Sequence, residues 1–234
     1  MIGVVIVAGT IFSYVLGWLI GVPALVPFLN TLASFPFMVA SLRLGRVRVA
    51  IAHMLLWALT LAICATTISY ADPVRTDALF LRGASYRAEM FTWVRTGSGA
   101  ESTPSLFIPQ QARDASIFAA AAAITGGVLA MPMGAALMNQ MGHYVGTLAA
   151  ASARPWLTML LGWHPWAVIR IVSFVAIGVV LSAPLLGRIL KISVDWRAAK
   201  SPLGWACAGL IVDVVMKWLL APAWQQLLVH IVGW

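Results

Sequence analysis

The sequence predicts an all-α fold, a polytopic helix bundle embedded in a membrane, with five to seven transmembrane segments of which one or two are broken or re-entrant. Three observations carry this. First, 62% of the 234 residues are hydrophobic and 9% are charged, with a mean hydropathy of +0.93. A water-soluble domain carries about 25% charged residues, so these charges are too few to coat a globule of this size, whereas a lipid-facing surface needs none. Second, apolar runs near the bilayer-crossing length of about 20 residues recur along the chain. Third, basic residues gather in short turns between those runs, as they do on the cytoplasmic side of membrane proteins. The balance of 15 Lys+Arg against 7 Asp+Glu is therefore a topological signal. No basic run interleaved with aromatics argues for nucleic acid as a partner. Residues 1–234 form a single transmembrane domain.

Seven apolar segments follow in order. The first, Ile2–Ile20, has no basic flank and runs on to Gly21-Val22-Pro23, so it is a retained helix and not a cleaved signal. The second, 24–42, contains Pro27 and Pro36 and is either a kinked span or one arm of a re-entrant hairpin. The third, 49–69, is uninterrupted. The fourth, 115–137, holds an alanine run and Gly126-Gly127. The fifth, 138–153, is short and broken by Gly142 and Gly146. The sixth is 166–186, and the seventh is 203–220 with a tail through Pro222 to Trp234. Cys64 and Cys207 fall near opposite faces of this arrangement, which argues against a disulfide.

Arg43, Arg46 and Arg48 form one basic turn. Arg188, Lys191, Arg197 and Lys200 form another, opposed by Asp195. Both belong on the cytoplasmic side of a bacterial inner (plasma) membrane, which places the N-terminus there too. The 70–114 loop carries five Arg and five acids, a neutral balance that suits the extracytoplasmic side. Within it Tyr86, Met90, Trp93 and Val94 recur at helical spacing and predict a short amphipathic helix at the membrane interface. Trp156, Trp163 and Trp166 fit the outer interfacial belt, and Arg154 an interfacial anchor.

Several polar residues lie inside apolar runs. Asp213 and Lys217, four apart in the last segment, share a helix face. They are expected to neutralise each other, and the functional alternative is an ion or proton relay. Arg170, in the outer quarter of its segment, is expected to snorkel to headgroups, or else to clamp an anion or carboxylate. Asn139 and His143 share a face beside Gln140 and could line a solute path. His53 and His143 fall at similar depth on the cytoplasmic side and could together ligate a haem, or one of them a pigment; otherwise no cofactor or metal is predicted. Gly142 with Gly146, and Gly17 with Gly21, are Gly-x-x-x-Gly pairs that let helices approach closely. Walker-type, Gly-x-Ser-x-Gly and metal-ligand patterns are absent from the sequence, so no catalytic residue is assigned.

From Tyr86 to about Leu190 the layout resembles the stage II sporulation protein M-like family of multi-span bacterial membrane proteins. The resemblance rests on Ser105-Leu106-Phe107, Arg113-Asp114, Ile124-Thr125-Gly126-Gly127, Leu137-Met138-Asn139, the Trp163-His164-Pro165 turn, Gly178 and Pro184-Leu185. Where the family has a His-Gly turn and then a glutamate, this chain has His164-Pro165-Trp166 and Arg170. The resemblance implies a non-catalytic scaffold or subunit of a larger bacterial membrane complex, with other membrane subunits or further copies of itself as partners beside the lipid bilayer. The residues themselves keep two alternatives open. One is a small-solute or ion transporter or channel using Asn139, His143, Asp213 and Lys217 with Arg170 at its mouth. The other is a haem- or pigment-binding subunit.

Overall fold

The computed structural model describes residues 1–191 and 196–234; Asp195 of the second basic turn lies outside them. Among the described residues every regular element is a helix, and there are eleven. The first, α1 (Ile2–Ile20), coincides with the first apolar segment. It stops at Gly21, whose left-handed φ of 67° lets its N–H close on the Gly17 carbonyl at 2.9 Å. Gly21 is thus a cap and not half of a packing pair: nothing stands within 4 Å of a Cβ built on it, whereas Gly17 lies beneath Val26.

The second segment becomes α2 (Val26–Leu32) and α3 (Phe35–Arg43). Pro27 and Pro36 sit in their first turns, where a missing N–H removes no helical bond. Ala33 (φ −77°) and Ser34 (φ −103°) keep right-handed dihedrals, so the column bends without turning back. Next come α4 (Val47–Ala71), α5 (Pro73–Leu79) and α6 (Gly83–Thr96). Asp72 caps α5 by accepting the Arg75 N–H at 3.0 Å. The apolar face predicted around Tyr86 forms on α6, and Met90, Trp93 and Val94 are buried against Tyr144, Val145, Ala221 and Leu228. That face is covered by protein helices.

The division of the fourth and fifth segments differs from the sequence expectation. Here α7 (Pro104–Thr125) ends at Gly126 and Gly127 (φ 60° and 91°), and α8 (Ala130–Ala150) then runs without interruption through Gly142 and Gly146. Those two glycines do not break the helix, because their absent side chains are what let α4 close on it. A Cβ on Gly142 would stand 2.5 Å from the Ala65 Cβ, and one on Gly146 would strike the Thr66 carbonyl oxygen. The remainder is α9 (Pro155–Gly162), α10 (Pro165–Leu190) and α11 (Trp196–Val232). The seventh segment and its tail are one helix of 37 residues, about 55 Å long.

The contacts fix the helix directions. Gly142 lies on Ala65 and Gly146 on Ser69, so α4 and α8 are parallel. Phe118 lies on Gly178 and Gly126 on Leu186, so α7 and α10 are parallel. Gly209 lies on Ser173 and Asp213 on Arg170, so α11 runs against α10. Met38 and Ser182 both meet Gly127, and Arg48 lines a groove with Pro202. The Arg43–Arg48 turn and the start of α11 therefore share one end of the bundle, and α5, α6 and α9 cap the other. Four stretches are long and apolar enough to cross a membrane: α1, α4, α10 and Ala199–Val232 within α11. Cys64 and Cys207 are free thiols. Trp156 is 81% exposed, but Trp166, expected at the interface, is a core residue at 1%.

Candidate functional site

Inside this apolar bundle four charged side chains meet at the level where α10 and α11 cross. Asp213 is fully buried. Its carboxylate accepts from Arg170 Nε at 2.8 Å and Nη2 at 3.0 Å, a two-pronged pair. Gln111 of α7 donates from Nε2 to the same carboxylate. Lys217, one turn on, donates to Glu101 Oε1 at 2.8 Å and lies 4.6 Å from the centre of the Phe107 ring. The expected Asp213–Lys217 pair is therefore replaced by two pairs between elements. The physical reason is donor geometry: the planar guanidinium meets both carboxylate oxygens, which an ammonium one helical turn away cannot do. Lys217 is then free to neutralise Glu101. Arg170 does not snorkel outward but turns into the bundle as a carboxylate clamp.

Glu101 sits in the 97–103 connection, beside Ser102, whose Oγ accepts the Trp93 indole N–H at 2.6 Å. Burial works to raise its pKa, but Lys217 and then Arg170 outweigh burial and hold the carboxyl below its ordinary value. Burial pushes the Tyr86 hydroxyl up. His164, in the turn before α10, stacks on Trp166 with centroids 4.7 Å apart and meets Trp93 edge-on at 5.2 Å. Burial lowers its pKa to about 4, Lys217 and Arg170 adding to that against the opposing pull of Glu101, so the ring is neutral at pH 7.

Arg170, Lys217 and Glu101 lie on the wall of a cavity of about 780 Å³ between α6, α7, α8, α10 and α11. Its polarity changes along the bundle in the same sense on three helices. On α7 the lining passes from Gln110, Gln111 and Asp114 to Ile117 and Phe118. On α8 it passes from Gln140 to Leu137 and Met133, and on α10 from Arg170 to Ile171 and Phe174. The half toward α6 holds the charged and amide side chains, mixed with Met90, Trp93, Phe107, Met141 and Ala167, and the half toward the basic end is apolar.

The other predicted residues do not join this site. Asn139 belongs to a separate buried chain: Tyr14 donates to its Oδ1 at 2.5 Å, its Nδ2 donates to Asn30 Oδ1 at 2.9 Å, and Asn30 donates to Ser13 at 2.8 Å. This chain ties α1 and α2 to α8. His143 is held by Ser69 at 3.0 Å and Asp77 at 2.8 Å, and Arg87 holds the other Asp77 oxygen at 2.6 Å. The Ser69–His143–Asp77 order invites comparison with a hydrolytic triad, but Ser69 is fully buried and lines neither this cavity nor the groove beside Arg48. The array is a clamp of α5 and α6 onto α8. His53 contacts Ser41 at 3.1 Å. It lies sixteen residues from Ser69 along α4, about 24 Å, so His53 and His143 are at opposite ends of that helix and cannot hold one iron between them. Depth matching failed because α8 starts at Ala130, which moves His143 from near its start to its far half. Among the described residues no cluster of three His, Cys, Asp or Glu is placed to hold a metal ion.

Sequence reasoning did not single out Glu101, Gln111, Asp77, Asn30 or Tyr14. The one available signal was Glu101 just before, and Gln110-Gln111 within, a Pro104-initiated helix. No protein-family model matches this chain, and comparison with curated proteins and with solved structures returns no match.

Proposed function

We propose that this chain is a seven-span membrane protein that admits a polar or amphipathic small molecule from its outer end into the cavity beside Arg170 and Lys217, as a small transporter or membrane receptor does. The observation that carries the reading is the cavity of about 780 Å³ with four cationic side chains on its wall, two of which, Arg170 and Lys217, belong to the long apolar helices α10 and α11. Its size falls within the roughly 300–1,000 Å³ of ligand sites, and ionisable groups retained inside a membrane bundle mark ligand or ion paths more often than simple packing. Asn139 and His143 have no part in the path and act as helix fasteners. The alternating columns α1, α2 with α3, α4, α7, α8, α10 and α11 support seven crossings. The shared basic end supports a cytoplasmic N-terminus in a bacterial inner membrane, with α5, α6 and α9 outside.

The test uses the chain with Cys64→Ser and Cys207→Ser and single cysteines at Ser98, Gln140 or the core position Ala135. A membrane-impermeant charged maleimide added from the outer side is expected to label S98C and Q140C and to spare A135C. Labelling of S98C with Q140C refractory would mean a cavity closed to water and would end this reading.

A second reading is a non-catalytic subunit of a larger complex. It is favoured by α11, of whose most apolar stretch 17% is buried while Trp205, Ile211 and Trp218 face outward. Recovery of the chain alone from mild detergent, repeatedly and without a stoichiometric partner, would count against it.

A further inference from the structure

The lining of the cavity specifies more than a polar solute. On each of its three main walls the charged and amide side chains stop at the same level, between Asp114 and Ile117, Gln140 and Leu137, and Arg170 and Phe174; Phe107, Met141 and Ala167 lie among them, and beyond that level the lining is apolar. A water-soluble ligand has no use for the apolar half. That half also continues: a further void of about 70 Å³ shares Phe118, Leu137, Met138, Ile171 and Phe174 with it and reaches Gly127 and Ser182 toward the basic end. The cavity opens sideways too. Ile117 and Leu137, on facing helices, line it and yet are 49% and 41% exposed, so its lips present apolar side chains to the surroundings of the bundle.

The polar half offers both signs of charge. Arg82, Arg113, Arg170 and Lys217 line it with Glu89, Glu101 and Asp114, and Asp213 stands behind Arg170, four cations against four carboxylates. Their internal pairing leaves capacity over. Among the described residues, Arg170 gives two of its five N–H donors to Asp213, Lys217 gives one of three to Glu101, and one Glu101 oxygen accepts no hydrogen bond. Free donors suit a phosphate and a free carboxylate oxygen suits an ammonium, while a headgroup of net charge would unbalance the set.

Resting on the reading that the cavity takes a ligand, we propose that it binds a zwitterionic phospholipid-type amphiphile, with the phosphate at Arg170 and Lys217, the ammonium toward Glu101, and the acyl chain leaving between Ile117 and Leu137. A lipid reaches such a site from within the bilayer, and a second chain, where present, stays there.

The probe is monoacyl phosphatidylethanolamine, titrated by native mass spectrometry into the full chain purified and stripped of lipid in detergent. Monoacylglycerol, monoacyl phosphatidylglycerol and free phosphoethanolamine serve as comparisons. The zwitterionic amphiphile is expected to bind at least tenfold more tightly than the other three. Leu137→Trp fills the apolar slot and should weaken it tenfold or more, while Leu59→Trp, on an exposed face of α4 away from the cavity, should leave it unchanged. If L137W does not fold, Ile117→Trp on the opposite lip serves, since both positions are exposed. Equal binding of the three amphiphiles, or unchanged affinity in a folded slot variant, would overturn the proposal. Phosphoethanolamine binding as tightly as its acylated form would overturn it too, and would leave the solute-binding reading standing. Refractory Q140C in the labelling test would instead end solute entry from the outer end, and the titration alone would then decide lipid binding from the bilayer.

Discussion

At the residue scale the decisive feature is that Asp213 and Lys217 have partners on other elements. Removing one member of a buried pair strands the other. Asp213→Ala is expected to cost about 3–5 kcal/mol, whereas Arg170→Met with Asp213→Leu costs less than either single change. Thermal melts of Arg170→Met, Asp213→Leu and the double variant in one detergent test this, and additive losses would show that the two side chains are not coupled. His164 supplies a pH dependence. Its folded pKa of about 4 lies below the ordinary 6.5, so as pH falls from 6.5 toward 4 the unfolded chain takes up a proton first and stability declines. The decline is at most about 3 kcal/mol. Glu101, also held low, acts in the same direction at more acid pH. His164→Gln should flatten the melting temperature between pH 6.5 and 4, and an unchanged slope would remove His164 as the cause. That Asp213, Lys217 and Arg170 matter was legible from their charge within apolar runs. Their partners were not, because Arg170, Gln111 and Glu101 stand 43, 102 and 116 residues from the groups they hold.

At the scale of elements, α1, α4 and α10 were legible because each is a long apolar run whose exposed side is mainly apolar as well. The α7–α8 division was not. Asn139 and Gln140 look like an interruption of an apolar run, yet Asn139 is satisfied by Tyr14 and Asn30 and Gln140 by the Leu81 carbonyl, so the helix carries them. The true break at Gly126–Gly127 is a matter of backbone sign, which hydropathy does not register. The two kinds of glycine give a contrast. Gly146→Ala places a methyl against the Thr66 carbonyl and is expected to cost about 1–3 kcal/mol and to loosen α4 from α8. Gly21→Ala meets nothing and costs only the left-handed strain, about 1 kcal/mol. Melting temperatures that rank these two the other way would refute the packing role of Gly146.

At the scale of the whole molecule, the charge distribution gave the ends correctly relative to each other: the Arg43–Arg48 turn and the start of α11 lie together, away from the 72–103 region. In membranes, a cysteine at Gly99 should react with an impermeant reagent from outside, and one at Gly45 only after permeabilisation. Labelling of both from one side would refute the opposed ends. The parallel seam between α4 and α8 has a further consequence, in time. Parallel neighbours cannot be joined by a short turn, so everything from α5 to α7 must be made before the groove on α4 meets its filler. At about 5–20 residues per second of synthesis, the 79 residues from Ala71 to Ala150 occupy roughly 4–16 s. During that interval Thr66 and Ser69 stand uncovered in the nascent chain, awaiting Gly146 and His143. Faults in this seam should therefore register as loss during biogenesis, in pulse-chase yield, before they register as a lower melting point of the finished protein.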